Sequence, residues 1–146
     1  MHIHQALITD LEGVSRLFNE YRIFYGQPSD LMGATLFLKE RMTMKDSIIF
    51  TAKIGDRYAG FVQLYPSFSS VSMKRTWILN DLYVSEDARR EGAGQALMDA
   101  AIRLCKETNA KSVTLQTAPD NGKAQRLYEK NGFHIDDAYL SYTLDF

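Results

Sequence analysis

The chain is predicted to be an α/β protein built on one mixed, mostly antiparallel sheet of about seven strands flanked by about four helices. Three observations predict this. Two stretches rich in β-branched and aromatic residues, 47–54 and 58–65, meet at Gly55-Asp56-Arg57 and read as a hairpin. Residues 76–84, 92–108 and 111–117 form a strand, helix, strand unit, the arrangement that makes neighbouring strands parallel. The 146 residues, 45% hydrophobic and 12% aromatic, suffice for one buried core and are few for two, so residues 1–146 are read as a single domain.

Taken in order, residues 2–7 are a short strand, and Thr9 or Asp10 can cap a helix that carries Leu11, Val14, Leu17, Phe18 and Tyr21 on one face. After the break Gly26-Gln27-Pro28-Ser29-Asp30 a second helix is expected, with a ragged apolar stripe of Leu31, Leu36, Leu38 and Met42. The hairpin strands follow. Residues 66–74, with four serines, read as a loop, and 76–84 as a third strand beside the hairpin. Ala96, Leu97, Ala100, Ala101, Leu104 and Cys105 then recur at helical spacing, with Asn109 as a stop. A strand at 111–117, a shorter helix at 122–130 ended by Asn131-Gly132, and two strands at 133–135 and 138–144 complete the chain.

Charge narrows the function. Lys+Arg 17 nearly cancels Asp+Glu 18, so the broad basic footprint of a nucleic-acid binder or of an anionic-membrane binder is missing. The N-terminus has no basic region followed by a long apolar run, and no segment is long enough to span a bilayer, so a cytoplasmic location is expected. The one cysteine, Cys105, cannot form an intramolecular disulfide and falls within an apolar helical pattern, where it reads as a core residue. His2 and His4 alternate on a terminal strand, but only His134 is added elsewhere and no ligand spacing appears, so no metal is expected.

One segment carries a phosphate-binding pattern. Val84-Ser85-Glu86-Asp87-Ala88-Arg89-Arg90-Glu91-Gly92-Ala93-Gly94 leaves an apolar strand, crosses a polar loop and enters a helix at paired glycines. N–H groups at a helix start lack intrahelical partners and carry partial positive charge, and glycines let the backbone approach a diphosphate. Arg89 or Arg90 could add a charge-assisted hydrogen bond. No Lys-Ser or Lys-Thr follows the second glycine, which disfavours a triphosphate loop, and Leu97 stands where a dinucleotide fold would have its third glycine.

Arg89-x-x-Gly92-x-Gly94 resembles the R/Q-x-x-G-x-G/A signature of the GCN5-related N-acetyltransferase (GNAT) family. Downstream, Asn121-Gly122-Lys123-Ala124-Gln125-Arg126-Leu127-Tyr128-Glu129-Lys130-Asn131-Gly132-Phe133 resembles that family's second cofactor segment, N-x-x-A-x-x-L-Y-x-x-x-G-F. Two motifs in the right order weigh far more than one, and the order of elements matches over nearly the whole chain.

The resemblance implies the GNAT acyl-CoA N-acyltransferase fold, acetyl-CoA as co-substrate, and direct transfer of the acetyl group to a primary amine in a ternary complex. It implies that main-chain groups of Leu82, Tyr83 and Val84 align the pantetheine arm, and that Arg89, Arg90, Glu91, Gly92, Ala93, Gly94 and Gln95 wrap the diphosphate. Asn121, Ala124 and Tyr128 would complete the cofactor site, with the Tyr128 hydroxyl as the proton donor to the departing thiolate. Chemistry also asks for an oxyanion donor, for which the main-chain amide of Val84 or Leu82 is the candidate, and for an acidic or water-linked group that deprotonates an ammonium, for which Asp81 and Glu20 are the candidates. Asp81, in Leu79-Asn80-Asp81-Leu82, resembles the acidic segment of polyamine-type members, which often have Glu-Asp where this chain has Asn-Asp. Proton removal is therefore assigned to Asp81 or to an ordered water.

For the acceptor, the resemblance points to Glu20, Tyr21, Phe24 and Tyr25 at the end of the first helix together with Asn80 and Asp81, and Tyr65, Phe68 and Trp77 could shape the same pocket. A small polyamine-like or amino-acid-like amine is the expected acceptor. The alternatives are a protein Lys or N-terminal amine, and a non-catalytic CoA-binding sensor of the same fold. The terminal segment 139–144 would suit strand pairing across a homodimer.

Overall fold

A computed structural model describes all residues, Met1–Phe146. They fall into two units, residues 1–115 and 116–146. In the first unit a five-stranded sheet runs in the order β1 (His2–Gln5), β2 (Ile48–Ile54), β3 (Arg57–Ser69), β4 (Lys74–Val84), β5 (Val113–Thr114), antiparallel except for the β4–β5 pair. Helices α1 (Leu11–Phe24), α2 (Leu31–Met44) and α3 (Ala93–Glu107) accompany it.

The amphipathic pattern of α1 buries Val14, Leu17 and Phe18 against Leu38 of α2 and Phe61 of β3, the core cluster on one side of the sheet. Asp10 precedes α1 without capping it. Its carboxylate accepts instead from Leu7 N at 2.9 Å and Tyr58 Oη at 2.7 Å, and lies 3.1 Å from His4 Nε2. Burial pushes this carboxyl up, but those donors outweigh it and hold it below its ordinary value, while the bond to Asp10 and burial push the Tyr58 phenol up to about 12. α2 is capped by Asp30, whose Oδ1 accepts from Gly33 N at 2.9 Å. Its ragged stripe has a plain cause: Ala34 and Leu38 are buried while Met32, Leu36 and Met44 remain exposed, so apolar residues lie all round it.

The structure corrects the expected serine-rich loop at 66–74. β3 continues to Ser69 and β4 begins at Lys74, with only 70–73 turning between them. Pro66 is tolerated because β2 pairs with β3 only as far as Leu64, so beyond that point β3 has a free edge where a missing N–H costs nothing. The expected strand at 111–117 shrinks to Val113–Thr114, which pair with Trp77 and Ile78 alone.

The second unit holds α4 (Gly122–Lys130), bounded as predicted. The strands expected at 133–135 and 138–144 are not formed, which is why five strands stand where about seven were expected. A strand needs a ladder partner for its backbone groups, and this segment has none; Ile135, Tyr139, Leu140, Tyr142, Leu144 and Phe146 all stand exposed. No helix is long and apolar enough to cross a membrane.

Candidate active site

The site starts from one extra residue in β4. Gln63 pairs with Asp81 and Leu64 with Leu79, so Asn80 has no partner on β3 and forms a β-bulge. Side chains alternate across a sheet, and the extra residue shifts that alternation by one. Before the bulge, Trp77 faces α3 and donates from Nε1 to Thr108 Oγ1 at 2.9 Å. After it, Tyr83 faces α1, its ring 6.1 Å from that of Tyr21. Asp81 follows Tyr83 onto the α1 side although it stands two residues from Leu79.

Asp81 is thereby buried, 5% exposed, beside the fully buried Gln63. Gln63 Nε2 donates to Asp81 Oδ2 at 2.9 Å, Asn80 Nδ2 donates to Oδ1 at 3.1 Å, and the Tyr21 hydroxyl donates to the same carboxylate. Burial dominates these donors and leaves the carboxyl above its ordinary value. Burial, with the Asp81 charge, also pushes the nearby Tyr65 phenol up to about 12. The α1 side carries more of the acceptor candidates: Tyr21 packs edge-on to Tyr25 at 5.0 Å, Phe24 to Tyr25 at 5.3 Å, and Tyr83 Oη donates to Glu20 Oε2 at 3.3 Å. Phe24 and Tyr25 are exposed. Trp77, expected to help shape this pocket, faces the opposite side of the sheet, and Phe68 stacks under the Arg75 guanidinium at 4.9 Å with most of its surface in solvent.

The outer edge of β4 is open from Leu79 to Val84, because β5 pairs only with Trp77 and Ile78. Ser85 N donates inward to Ala59 O at 2.9 Å, so alternation turns the polar groups of Val84 and Leu82 outward. Arg89 Nε donates to Val84 O at 3.3 Å from that outer side. Gly60, opposite Val84, permits the close packing of the two strands here: a Cβ would lie 2.7 Å from Tyr83 O.

The loop after β4 enters α3 at Gly92, whose φ of 85° is left-handed and whose missing Cβ would point into open space. No side chain caps this helix, so its first N–H groups, those of Ala93 and Gly94 among them, lack helical partners. Arg90 is also left-handed, at φ 68°. Arg57, the first residue of β3, reaches Glu91 Oε2 at 3.1 Å and Asp87 Oδ2 at 3.4 Å, offsetting two acids beside the helix start. Gln95 Nε2 donates along the helix to Asp99 Oδ1 at 2.8 Å. This donor set, an open strand edge running into a glycine-opened helix start, fits a pantetheine arm and its diphosphate.

In the second unit Asn121 caps α4, its Oδ1 accepting from Ala124 N at 3.3 Å. Tyr128 is half-buried on α4 with its ring 5.9 Å from Phe133. Cys105 is half-buried and burial pushes its thiol up, the opposite of what a nucleophile needs. No group of three or more His, Cys, Asp or Glu is placed to hold a metal ion.

Residues 13–133 match the family model described as Acetyltransferase (GNAT) family, a span that includes both the Gly92 helix entry and the Asn121–Phe133 segment. The chain belongs to the GNAT family of acetyltransferases. It is 48% identical over 145 residues to YhfO, an uncharacterized N-acetyltransferase of Bacillus subtilis (strain 168), covering 99% of this chain and 97% of the relative. The crystal structure of a probable acetyltransferase superposes with a TM-score of 0.95 at 43% identity, covering 100% of this chain and 98% of that one. A D-amino-acid N-acetyltransferase, HPA3 of Saccharomyces cerevisiae, is 28% identical over 131 residues, covering 87% of this chain and 81% of the relative.

Sequence reasoning named Asp81, Asn80, Glu20 and Tyr21, and the fold gathers them on one side of β4. It missed Gln63. The available signal was a lone amide in the apolar run Phe61-Val62-Gln63-Leu64 of a central strand, where a polar side chain must find a buried partner.

Proposed function

We propose that this GNAT acetyltransferase acetylates the primary amine of a small polyamine-like or amino-acid-like acceptor, with Asp81 taking the amine proton. Asp81 carries the proposal. A carboxylate nine-tenths or more out of water, raised above its ordinary value by burial yet still held by donors, is suited to accept a proton. The ring wall of Tyr21 and Tyr25, with Glu20 beside Tyr83, favours a cationic amine by charge and by ring face. The substrate in the yeast relative's name agrees with an amino-acid-like acceptor.

Acetyl-CoA, when bound, supplies the activated acetyl thioester that the amine nitrogen attacks, forming the C–N bond as the C–S bond breaks. The outward amides of Leu82 and Val84 align the pantetheine arm and offer a donor to the carbonyl oxygen. The amides of Ala93 and Gly94 hold the diphosphate, and Asn121 adds its amide. Asp81 accepts the proton lost by the amine. The Tyr128 hydroxyl gives its proton to the departing sulfur.

Release of free CoA thiol, followed over a panel of polyamines, L- and D-amino acids and a lysine peptide, tests this reading. Amine-dependent release with a small amine is expected. Tight CoA binding without release from any amine would turn the reading toward a sensor.

We further propose a cytoplasmic homodimer formed through the C-terminal segment. Its exposed aromatic side chains, at roughly 150–250 Å² each, together with Ile135, Leu140 and Leu144, approach the roughly 800 Å² per partner of a stable interface. A second copy suits this segment because residues 138–144 retain strand-forming composition without a partner strand.

A further inference from the structure

Resting on the reading of Asp81 as the base, we infer that Gln63 and Ser47 form a positioning relay that fixes the Asp81 carboxylate and keeps it ionisable in its buried place. Ser47, just before β2, donates from Oγ to Gln63 Oε1 at 2.9 Å, and Gln63 donates from Nε2 to Asp81 Oδ2 at 2.9 Å. An amide is ambivalent: turned over, it would present its oxygen to the carboxylate, tolerable only if Asp81 were protonated. The ionised carboxylate therefore selects the orientation in which the amide donates, and the Ser47 hydroxyl, which can donate or accept, gives its hydrogen to the amide oxygen and anchors the side chain there. Gln63 has no solvent to substitute for either bond, being fully buried.

The bulge at Asn80 makes the relay possible, because it sets Asp81 directly opposite Gln63 on the α1 side. The other groups around the carboxylate are Asn80 on β4, Tyr21 from α1 and Tyr65 from β3, with Arg41 of α2 and Asp46 beyond Tyr65. The Arg41 charge is already matched by Asp46 at 2.9 Å and by Glu40 at 3.1 Å. Gln63 is thus the donor to Oδ2 that another residue anchors, and Ser47 acts on the base from two side chains away.

The test follows the carboxyl resonance of Asp81 by ¹³C NMR in protein labelled at aspartate, assigned with Asp81→Asn. Its titration midpoint is expected to rise by about one pH unit or more in Gln63→Met. A smaller rise is expected in Ser47→Ala, and Ser47→Thr, which keeps a hydroxyl, should restore the wild-type midpoint. Ser47 lies half-buried outside the strand, so Ser47→Ala decides the matter even if Gln63→Met does not fold. A midpoint unmoved in the folded variants overturns the relay. The same variants are assayed for thiol release with the best acceptor of the amine panel: the acid limb of the rate profile should move with the NMR midpoint and kcat should fall, with KM for acetyl-CoA unchanged. If the midpoint moves but the limb does not, the relay holds for the carboxyl and the assignment of Asp81 as base fails instead.

Discussion

Gln63 and Asp81 face each other across β3 and β4 with an amide-to-carboxylate bond of 2.9 Å, both almost wholly out of water. A buried carboxylate is costly, and its three donors offset only part of the desolvation. Under the proposed mechanism, the protein retains a destabilising group because it serves as the base.

That cost has a sign that can be measured. The folded-state pKa of Asp81 is raised, so the folded chain binds this proton more tightly than the unfolded one. The contribution to stability is fully present below the unfolded value and is lost as pH rises through the folded value. Asp81→Asn is therefore expected to raise Tm at neutral pH, an advantage that disappears on acidification below the ordinary carboxylate range, while thiol release falls roughly 10²-fold or more. Thermal scans across pH check the first part and steady-state rates the second.

Tyr128→Phe removes one hydroxyl and keeps the ring that packs near Phe133. Loss of a general acid predicts a fall in kcat of about 10²-fold, disappearance of the basic limb of the pH profile, and little change in cofactor affinity. An unchanged rate and pH profile would remove Tyr128 from the chemistry.

Gly92→Val places a β-branched residue at φ 85°, a conformation that costs an L-residue roughly 1–2 kcal/mol, and puts side-chain atoms where the diphosphate would lie. Calorimetric titration with CoA should show binding abolished in a variant whose far-UV spectrum matches the wild type. Binding at wild-type affinity would move the diphosphate elsewhere.

Tyr142→Asp introduces charge into the exposed C-terminal segment without touching the sheet. Light scattering of the full chain should report a dimer for the wild type and a monomer for the variant. A monomeric wild type, or a dimer that survives the change, would exclude this segment as the interface.

Much of the molecule was legible from local signals. The helix at 122–130 showed itself by the stop Asn131-Gly132 after it, and α3 by its paired glycines and apolar spacing. Both are determined within a few residues of chain. The extension of β3 through Pro66 was not legible, because it depends on where β2 stops pairing. The strands expected at 133–144 show the reverse error: composition can favour a strand, but only a neighbouring backbone makes one.

The sequence by itself determined the family, through two motifs that are each a short run of local residue types, Arg89 to Gly94 and Asn121 to Phe133. It also supplied Asp81 as a candidate. Only the tertiary structure decided how Asp81 stands, since a single unpaired residue at Asn80 reverses the alternation of the strand and turns the carboxylate toward Gln63 and Tyr21. A bulge is a relation between two strands, fixed by how their ladders fit, and one strand read alone does not contain it.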